Sequence, residues 1–232
     1  MKIGCVLVMY NPQRELLTAS LNALNEQVDE IFLGDNSVNM PDFITTLLNL
    51  YPNTYYHSFN KNLGIAEAQN RGIIYFQKKG FDFVLFMDQD SLAPNNLVSS
   101  LLADYNRLKE IGIPIGGIGP RPFNRGEGKP YIGAVKKGKL ILPKITEVGE
   151  IISSASLIPI PHFKQVGGME SSLFIDGVDH EWCWRAKKLG GWRFFISESV
   201  QLSHQVGEGD RPFIFRKVAI PTPFRTFYQF RN

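Results

Sequence analysis

The chain contains 232 residues, of which 44% are hydrophobic and 20% charged, as is ordinary for a globular protein. This length fits one α/β domain with a sizeable core, either alone or with an appended segment. The formal net charge of +3 is too small to indicate nucleic acid as a partner. No apolar run approaches the roughly 20 residues of a membrane span. Cys5 and Cys183 fall in a predicted strand and a predicted helix, which indicates no disulfide framework and favours the reducing cytoplasm.

Strands and helices are predicted to alternate along the first half of the sequence. This alternation is typical of βαβ units and of a mainly parallel sheet flanked by helices. Asn11 and Pro12 suit the N-cap and the first position of the first helix. The predicted strands are residues 3–9, 30–34, 54–58 and 81–91, and the predicted helices are residues 16–24, 43–50, 64–79 and 95–110.

The second half of the sequence is less regular. Residues 112–144 are rich in Gly, Pro and Lys, so we expect loops and hairpins there, with a mobile flap over the site. Farther along we predict a strand at residues 151–161, a helix at residues 179–189, and two short strands at residues 192–196 and 200–204.

The fourth predicted strand ends in two carboxylates, Asp88 and Asp90. In open α/β sheets, ligands bind beyond the carboxyl ends of the strands. Two hard oxygen donors at that place suit a divalent cation that bridges phosphates. The alternative is that one aspartate caps the following turn and the other is solvated, and for an Asp-x-Asp pattern alone the two interpretations are about equal.

Other polar segments follow the predicted strands. Residues 34–37 (Gly-Asp-Asn-Ser) form a turn with a free carboxylate, Asp35, at the ligand edge of the sheet. Residues 60–64 form a polar turn in which Gly64 opens a helix, and helix N-termini offer free N–H groups to anions.

Asp179, His180 and Glu181 cluster at the start of a predicted helix. A carboxylate there is either an N-cap, worth about 1 kcal/mol, or a general base that accepts a proton from an attacking hydroxyl. The helix N-terminus would keep that base ionised. His204 ends a predicted strand and is either a surface residue or a third metal donor, which would favour manganese over magnesium.

Taken in order, these segments resemble glycosyltransferase family 2, which has the GT-A fold. Within the family, residues 174–182 and the Tyr228-x-x-Arg231-Asn232 pattern are similar to bacterial rhamnosyltransferases. The segments that carry the resemblance are Val8-Met9-Tyr10-Asn11, Gly34-Asp35-Asn36-Ser37, Asn62-x-Gly64-x-Ala66-x-Ala68-x-Asn70-x-Gly72, Asp88-x-Asp90, Asp179-x-Glu181-x-x-x-Arg185 and His204.

The resemblance implies a role for each matching residue. The nucleotide-sugar pocket would be formed by Tyr10, Asn11, Asp35, Asn36, Asn62, Gly64 and Asp88, with Asp35 on the pyrimidine base. Asp90 would ligate Mn²⁺ or Mg²⁺ with help from His204. Asp179 would be the catalytic base, and Asp176 and Glu181 are the other candidates. A single displacement of the nucleoside diphosphate would invert the anomeric configuration.

The resemblance also implies a division of the chain and a set of partners. Residues 1–208 would be the catalytic domain, with residues 1–110 for the nucleotide and residues 111–208 for the acceptor. The donor would be dTDP-rhamnose or a UDP-sugar, and the acceptor a glycan or a lipid-linked glycan in cell-surface polysaccharide synthesis. Two alternatives stay open, a haloacid-dehalogenase-type phosphatase that uses Asp88 and Asp90, and a non-catalytic module that binds nucleotide sugars.

Residues 209–232 differ in composition from the rest, because five basic side chains face one acidic side chain and aromatic rings are interleaved with them. We expect this segment to lie on a membrane surface, on the inner face of the cell membrane, where such rings and cations meet lipid headgroups. The alternatives are that it packs on the catalytic domain or that the sequence is truncated here.

Overall fold

The structure is a computed structural model that describes residues 1–124, 129–130, 137–204, 210–213, 216–219 and 223–232. Side chains are described for residues 1–123, 137–203 and 226–232. Part of the segment in which the flap is predicted, residues 125–128 and 131–136, lies outside the described residues.

Twelve strands are present in the described residues. They are β1 (Ile3–Met9), β2 (Glu30–Asp35), β3 (Thr54–Ser58), β4 (Phe83–Asp88), β5 (Ile115–Asn124), β6 (Lys129–Pro130), β7 (Lys139–Leu142), β8 (Ile145–Val148), β9 (Leu157–Pro159), β10 (Arg193–His204), β11 (Asp210–Phe213) and β12 (Arg216–Ala219).

Seven α-helices accompany them in the described part of the chain. They are α1 (Arg14–Leu24), α2 (Ile44–Leu50), α3 (Gly64–Lys78), α4 (Leu97–Glu110), α5 (Ile160–Val166), α6 (Val178–Gly190) and α7 (Pro223–Arg231), with a 3₁₀ helix at Ser171–Leu173. Among the described residues, no helix combines the length and the apolar character needed to cross a bilayer.

The main sheet has the strand order β3-β2-β1-β4-β9-β5-β10-β8-β7, with β6 beside β5. Strands β1 to β4 are parallel, and β5 is parallel to β10. Strand β9 is antiparallel to both β4 and β5, so these two blocks run in the same direction. The predicted mixed, mainly parallel α/β sheet in a single domain is therefore confirmed, and the carboxyl ends of β1, β2, β4 and β10 share one edge.

The sheet separates two apolar cores, one on each face. Alternate residues of β1 point to opposite faces, so Cys5 and Leu7 join the core beneath α1, α2 and α4, whereas Val6 joins the core beneath α3, α5 and α6. Both cysteines are buried and free, as predicted, and burial raises the pKa of the Cys183 thiol to about 12.

The start of the first helix differs from the prediction. The N-cap of α1 is Gln13, and the helix begins at Arg14. Asn11 instead has a positive φ of 44°, and its N–H donates to Ser37 Oγ over 2.8 Å. The tertiary bond to Ser37 therefore places Asn11 in a turn that lies before the helix.

The expectation of loops and short hairpins in residues 112–144 was wrong for β5, a ten-residue strand in the middle of the sheet. Its glycines gave a misleading signal, because they serve close packing in this strand. A Cβ on Gly116 would lie 2.8 Å from Phe194, and a Cβ on Gly117 would lie 3.0 Å from Ile158. The two predicted late strands also form one strand, β10, which is irregular between Ser197 and Gln201.

Candidate active site

The two carboxylates at the end of β4 lie at the expected edge of the sheet but in different environments. Asp88 ends the strand and is half-buried, and Ser154 Oγ donates a hydrogen bond to its Oδ2. Asp90 is exposed in the following turn and accepts no hydrogen bond from the described residues. Asp90 is therefore the carboxylate that is open to a ligand.

The end of β10 lies beside this turn. Leu92 and Ser203 form an antiparallel bridge, which places the backbone of His204 directly after the residue that pairs with Leu92. The side chain of His204 lies outside the described residues, so its metal-binding role stays a prediction. The backbone nevertheless brings the predicted third donor to the segment that carries Asp90.

The described side chains contain no group of three or more His, Cys, Asp or Glu that could hold a metal ion. Asp88 and Asp90 fit such an ion chemically, because carboxylate oxygens are the donors that Mg²⁺ and Mn²⁺ prefer. A complete site in this protein would need a donor from residues such as His204, from the diphosphate, or from water.

Gln89, between the two aspartates, was not predicted as a site residue. Its Oε1 accepts from the Tyr10 N–H over 2.8 Å, and its Nε2 donates to the Tyr10 carbonyl over 3.2 Å. Ser20 Oγ donates to the main-chain carbonyls of Gln89 and Ser91. These bonds join the turn after β4 to the end of β1, where the Tyr10 side chain is 48% exposed at the ligand edge.

Asp35 ends β2 and Asn36 follows it, and both residues are buried. Asp35 Oδ1 accepts from the Ser37 N–H over 2.7 Å and Oδ2 from the Tyr56 hydroxyl over 2.8 Å. Burial, together with the hydrogen bond to Asp35, raises the pKa of Tyr56 to about 12. The Asp35 carboxylate has no exposed surface in this arrangement, so contact with a base would require one of these partners to move.

Asn36 joins β2 to the start of α3. Its Nδ2 donates to the Gly64 carbonyl over 3.1 Å, and its Oδ1 accepts from the Leu63 N–H over 3.0 Å. Asn62 is exposed, and its Oδ1 accepts from the Gly64 N–H. The predicted nucleotide residues Asn36, Asn62 and Gly64 are thus brought together, with Asn36 fixing the backbone of Leu63 and Gly64.

Asp179 lies in the first turn of α6, where Gly177 is the N-cap. The N-cap interpretation of Asp179 was therefore wrong, because Gly177 takes that position with a φ of 77°. Asp179 Oδ1 accepts from the His180 N–H over 2.9 Å, and Oδ2 accepts from the Ser153 N–H over 3.0 Å. Main-chain N–H groups therefore hold both oxygens of the carboxylate that is the predicted general base.

Glu181, one of the other two candidate bases, is engaged elsewhere. Glu181 forms a two-point ion pair with Arg185, with N–O distances of 2.7 and 2.8 Å, and this pairing raises the pKa of Arg185. Arg185 also donates to the Val166 carbonyl, so the pair joins α6 to the end of α5. Asp176 lies in a loop with a φ of 61°, and its main-chain carbonyl accepts from Asn232.

A serine pair that the sequence did not reveal links the two acidic centres. The Ser153 N–H binds Asp179, whereas Ser154 Oγ binds Asp88. The loop is itself fixed to β4, because the Ala155 N–H donates to the Phe86 carbonyl over 2.7 Å. The run of small residues at 153–156 was the only sequence feature that marked this loop. It led us to predict a strand, and not a segment that binds two carboxylates.

The last residues pack on the loop before α6. Tyr228 stacks on Phe174 with ring centroids 4.9 Å apart, and Asn232 donates to main-chain carbonyls of that loop. Packing on the domain, one of the alternatives, therefore describes residues 226–232. The side chains of Arg211, Arg216, Lys217 and Arg225 lie outside the described residues.

Solved structures share this architecture. GalNAc-T7, crystallised with UDP, GalNAc and Mn²⁺, superposes with a TM-score of 0.70 at 14% identity over 88% of this chain and 44% of its own. S. aureus TarS 1–349 in complex with UDP superposes with a TM-score of 0.65 at 17% identity, over 89% of this chain and 61% of its own. This chain spans less than two thirds of either protein. The fold is that of the GT-A glycosyltransferases, as the resemblance implied.

Sequence comparison gives the family. A profile of glycosyl transferase family 2 matches residues 5–153. The chain is 30% identical over 240 residues to the dTDP-rhamnosyl transferase RfbF of Shigella flexneri, and the match covers 99% of this chain and 78% of that protein. The chain belongs to glycosyltransferase family 2 and is similar to bacterial rhamnosyltransferases, so it is a transferase. The phosphatase alternative is not favoured.

Proposed function

We propose that this protein is an inverting, metal-dependent rhamnosyltransferase. It moves rhamnose from dTDP-rhamnose to a saccharide or a lipid-linked saccharide in cell-surface polysaccharide synthesis. The similarity to a dTDP-rhamnosyl transferase over nearly the whole chain supports the donor. A UDP-sugar is the second donor to be tested, because the TarS fragment was solved with UDP.

The observation that carries the proposal is the link between the two acidic centres through residues 153 and 154. Asp179 is bound by the Ser153 N–H and Asp88 by the Ser154 hydroxyl. Because one short segment holds both the base and the edge that binds the diphosphate, the distance between them is fixed. Displacement at a sugar carbon needs that register, because the hydroxyl must be activated on the side opposite the leaving diphosphate.

The nucleotide lies along the carboxyl ends of β1, β2 and β4. Tyr10 and Asn11 line the nucleoside pocket, with Asp35 and Tyr56 at its inner wall. Asn62 and Gly64 lie beside the diphosphate at the start of α3, where the N–H groups of Gly64 and Ile65 donate to Asn62 Oδ1 and to the Phe174 carbonyl. Asp88 approaches the ribose.

Asp90 and His204 hold Mn²⁺ or Mg²⁺ in this proposal, beside Asp88. When bound, such an ion neutralises negative charge on the diphosphate and orients it. The exposed position of Asp90 supports this role, since its carboxylate has no competing partner among the described residues.

Asp179 is the base. Its carboxylate accepts the proton of the acceptor hydroxyl while the hydroxyl oxygen bonds to the anomeric carbon. The bond between that carbon and the diphosphate oxygen breaks at the same time, and the electron pair leaves with the diphosphate. One displacement inverts the anomeric configuration.

Thermal shift with nucleotide and metal tests the proposal. We expect dTDP with Mn²⁺ to raise the melting temperature of the wild type, and Asp90→Ala to lose that shift. Asp42→Ala is the matched control, because Asp42 is also exposed but lies before α2. A donor panel under the same conditions then ranks dTDP-rhamnose against UDP-sugars. Absence of stabilisation by every nucleotide–metal pair would refute the proposal.

Peripheral membrane association is a separate part of the proposal. Phe227 and Phe230 are 60% and 89% exposed on α7, whereas Tyr228 of the same helix stacks on Phe174. Exposed rings of this kind insert at the lipid boundary. We expect cosedimentation with anionic vesicles, and we expect Phe227→Ser with Phe230→Ser to reduce it. Equal binding by the double variant would argue against this surface.

A further inference from the structure

Trp184 is the most exposed aromatic side chain of α6. Its side chain is 58% exposed, and its indole Nε1 lies 3.4 Å from Glu150 Oε2. His180 lies one helical turn earlier, with its ring centroid 6.2 Å from that of Trp184. Exposing a large indole forgoes apolar burial that would stabilise the fold, so a ligand that covers it is expected to bind favourably.

A cavity of about 190 Å³ adjoins this indole. Glu150 and His180 both line the cavity and both contact Trp184, so the indole lies at its rim. Ile152 contributes an apolar surface to the lining, and Ser154 also lines the cavity. Because Ser154 binds Asp88 and its neighbour Ser153 binds Asp179, the cavity opens beside the base and the diphosphate edge.

The chemistry of the lining fits a sugar ring. One face of a pyranose carries C–H groups, which are attracted to the negative face of an indole. Its hydroxyls are donors for which the Glu150 carboxylate is an acceptor. The volume is below the about 300–1,000 Å³ of pockets for drug-sized ligands, which suits one ring rather than a nucleotide.

The same lining disfavours a lipid occupant. Glu150 and the nearby Asp179 carboxylate would repel an anionic headgroup, and burial of an acyl chain against a carboxylate carries a desolvation cost. A saccharide satisfies both the indole and the carboxylate, whereas a lipid satisfies only the indole.

We infer that Trp184, Glu150 and His180 form the subsite that binds the acceptor saccharide, with one sugar ring stacked on the indole and its reacting hydroxyl directed to Asp179. This inference rests on the proposed function and gives the acceptor its chemical class, a saccharide terminus. Trp184 determines acceptor affinity and takes no part in proton transfer.

Indole N–H signals in protein NMR test the subsite without turnover. The chain has three tryptophans, and Trp182 is fully buried. We titrate wild type with methyl glycosides of common hexoses and deoxyhexoses at millimolar concentration. The signal that disappears in Trp184→Phe is assigned to Trp184, and we expect that signal to shift in the wild type.

Variants then measure the contribution of the ring. We expect Trp184→Ala to weaken glycoside binding about tenfold. Because this variant lacks the Trp184 signal, its binding is measured on the NMR signals of other residues that line the cavity. Trp184→Phe keeps an aromatic ring, so we expect a smaller loss of glycoside affinity than in Trp184→Ala. Leu189→Ala is the control, since Leu189 is a large apolar residue of the same helix with 56% exposure, and we expect it to bind glycosides as the wild type does.

Three results would overturn the inference. The first is that no glycoside shifts the Trp184 signal of the wild-type protein. The second is unchanged glycoside affinity in Trp184→Ala. The third is a shift of that signal by lipid vesicles that glycosides do not reproduce. The nucleotide–metal thermal shift, measured on the same wild-type sample, separates the two proposals. If nucleotide stabilises the protein but no glycoside binds, the subsite is refuted and the proposed function stands. If glycosides bind but no nucleotide stabilises the protein, the proposed function is refuted.

Discussion

The side-chain amide of Asn232 donates a hydrogen bond to the main-chain carbonyl of Asp176 over 2.9 Å. The same nitrogen lies 3.0 Å from the Leu173 carbonyl and 2.9 Å from the Ile175 carbonyl, so three carbonyls share two hydrogens. Phe174 and Asp176 both have positive φ in this loop. Such conformations persist where the surroundings hold them, and Asn232 supplies part of that restraint on the segment that leads into the Asp179 helix.

Asn232→Ala is therefore expected to lower the free energy of unfolding by about 1 kcal/mol, because the side chain is exposed and water replaces part of the lost bonding. Amide exchange at Ile65 should also become faster, since its N–H donates to the Phe174 carbonyl over 2.7 Å. Urea unfolding and hydrogen exchange measure the two effects. Gln229→Ala, at an exposed position of α7, is the control. Identical exchange at Ile65 in both variants would contradict the restraint.

Asp179→Asn should lower the turnover number by about 10²–10⁴-fold, because an amide cannot accept the acceptor proton. Stabilisation by dTDP and Mn²⁺ should persist, since Asp179 does not contact the nucleotide in the proposed site. Initial rates of dTDP release with donor and acceptor measure the loss.

Glu181→Gln provides the comparison for Asp179→Asn. It breaks the ion pair with Arg185, in which both side chains are partly exposed, and should cost no more than about 1 kcal/mol of stability. Its turnover should stay close to that of the wild type. A larger loss of turnover in Glu181→Gln than in Asp179→Asn would transfer the role of base to Glu181.

Gly64→Ala tests the junction between the nucleotide edge and the loop before α6. Gly64 has a φ of 80°, and an added Cβ would lie 2.6 Å from the Phe174 carbonyl oxygen. Gly80→Ala is a matched control, with a φ of 69° and nothing within 4 Å of the added Cβ.

Both glycine variants incur the left-handed backbone penalty of about 1–2 kcal/mol. Only Gly64→Ala should add a steric cost and weaken nucleotide binding. Chemical denaturation and the nucleotide thermal shift measure these effects. Equal behaviour of the two variants would mean that the Phe174 contact does not constrain the site.

Tyr56 predicts a dependence of stability on alkaline pH. Its pKa rises from 10.0 to about 12 on folding, chiefly through burial and secondly through the hydrogen bond to Asp35. The folded state therefore favours the neutral phenol, and this contribution is complete below pH 10 and is lost as the pH rises through 12.

The free energy of unfolding of the wild type should accordingly fall more steeply between pH 10 and pH 12 than that of Tyr56→Phe. Tyr55→Phe changes a ring that stacks on Tyr75 on the other face of the sheet and serves as the control. Urea unfolding at several pH values gives the slopes. Parallel curves for the wild type and Tyr56→Phe would show that folding does not raise the pKa of Tyr56.

Local patterns predicted much of the framework. The bounds of β1 and β3 were predicted to the residue, and α3 and α6 were predicted within one residue at each end. Each of these elements shows its pattern within a short stretch of sequence: the strands are short apolar or β-branched runs, and the helices have apolar residues at helical spacing and glycines at their ends. The central strand β5 was missed because its glycines and prolines indicate loops unless the neighbouring rings that exclude a Cβ are known.

Some residues of the candidate site could likewise be predicted from local sequence patterns, and others could not. The sequence indicated Asp88 and Asp90 because acidic residues follow an apolar run, and Asp179 because it opens a helix. Gln89 and the Ser153–Ser154 pair could not be found in that way, since their partners lie far off in the chain and no local pattern depends on them.

The sequence by itself determined the family, the alternating elements of the nucleotide half and the acidic residues at the strand ends, because each depends on neighbours along the chain. The tertiary structure alone decided which residues meet. Strand β9 pairs with β4 and brings the preceding serine loop between Asp88 and Asp179, and α7 closes on the loop before α6. The physical reason is that these contacts depend on strand order and on side-chain packing across the sheet, which no single segment specifies.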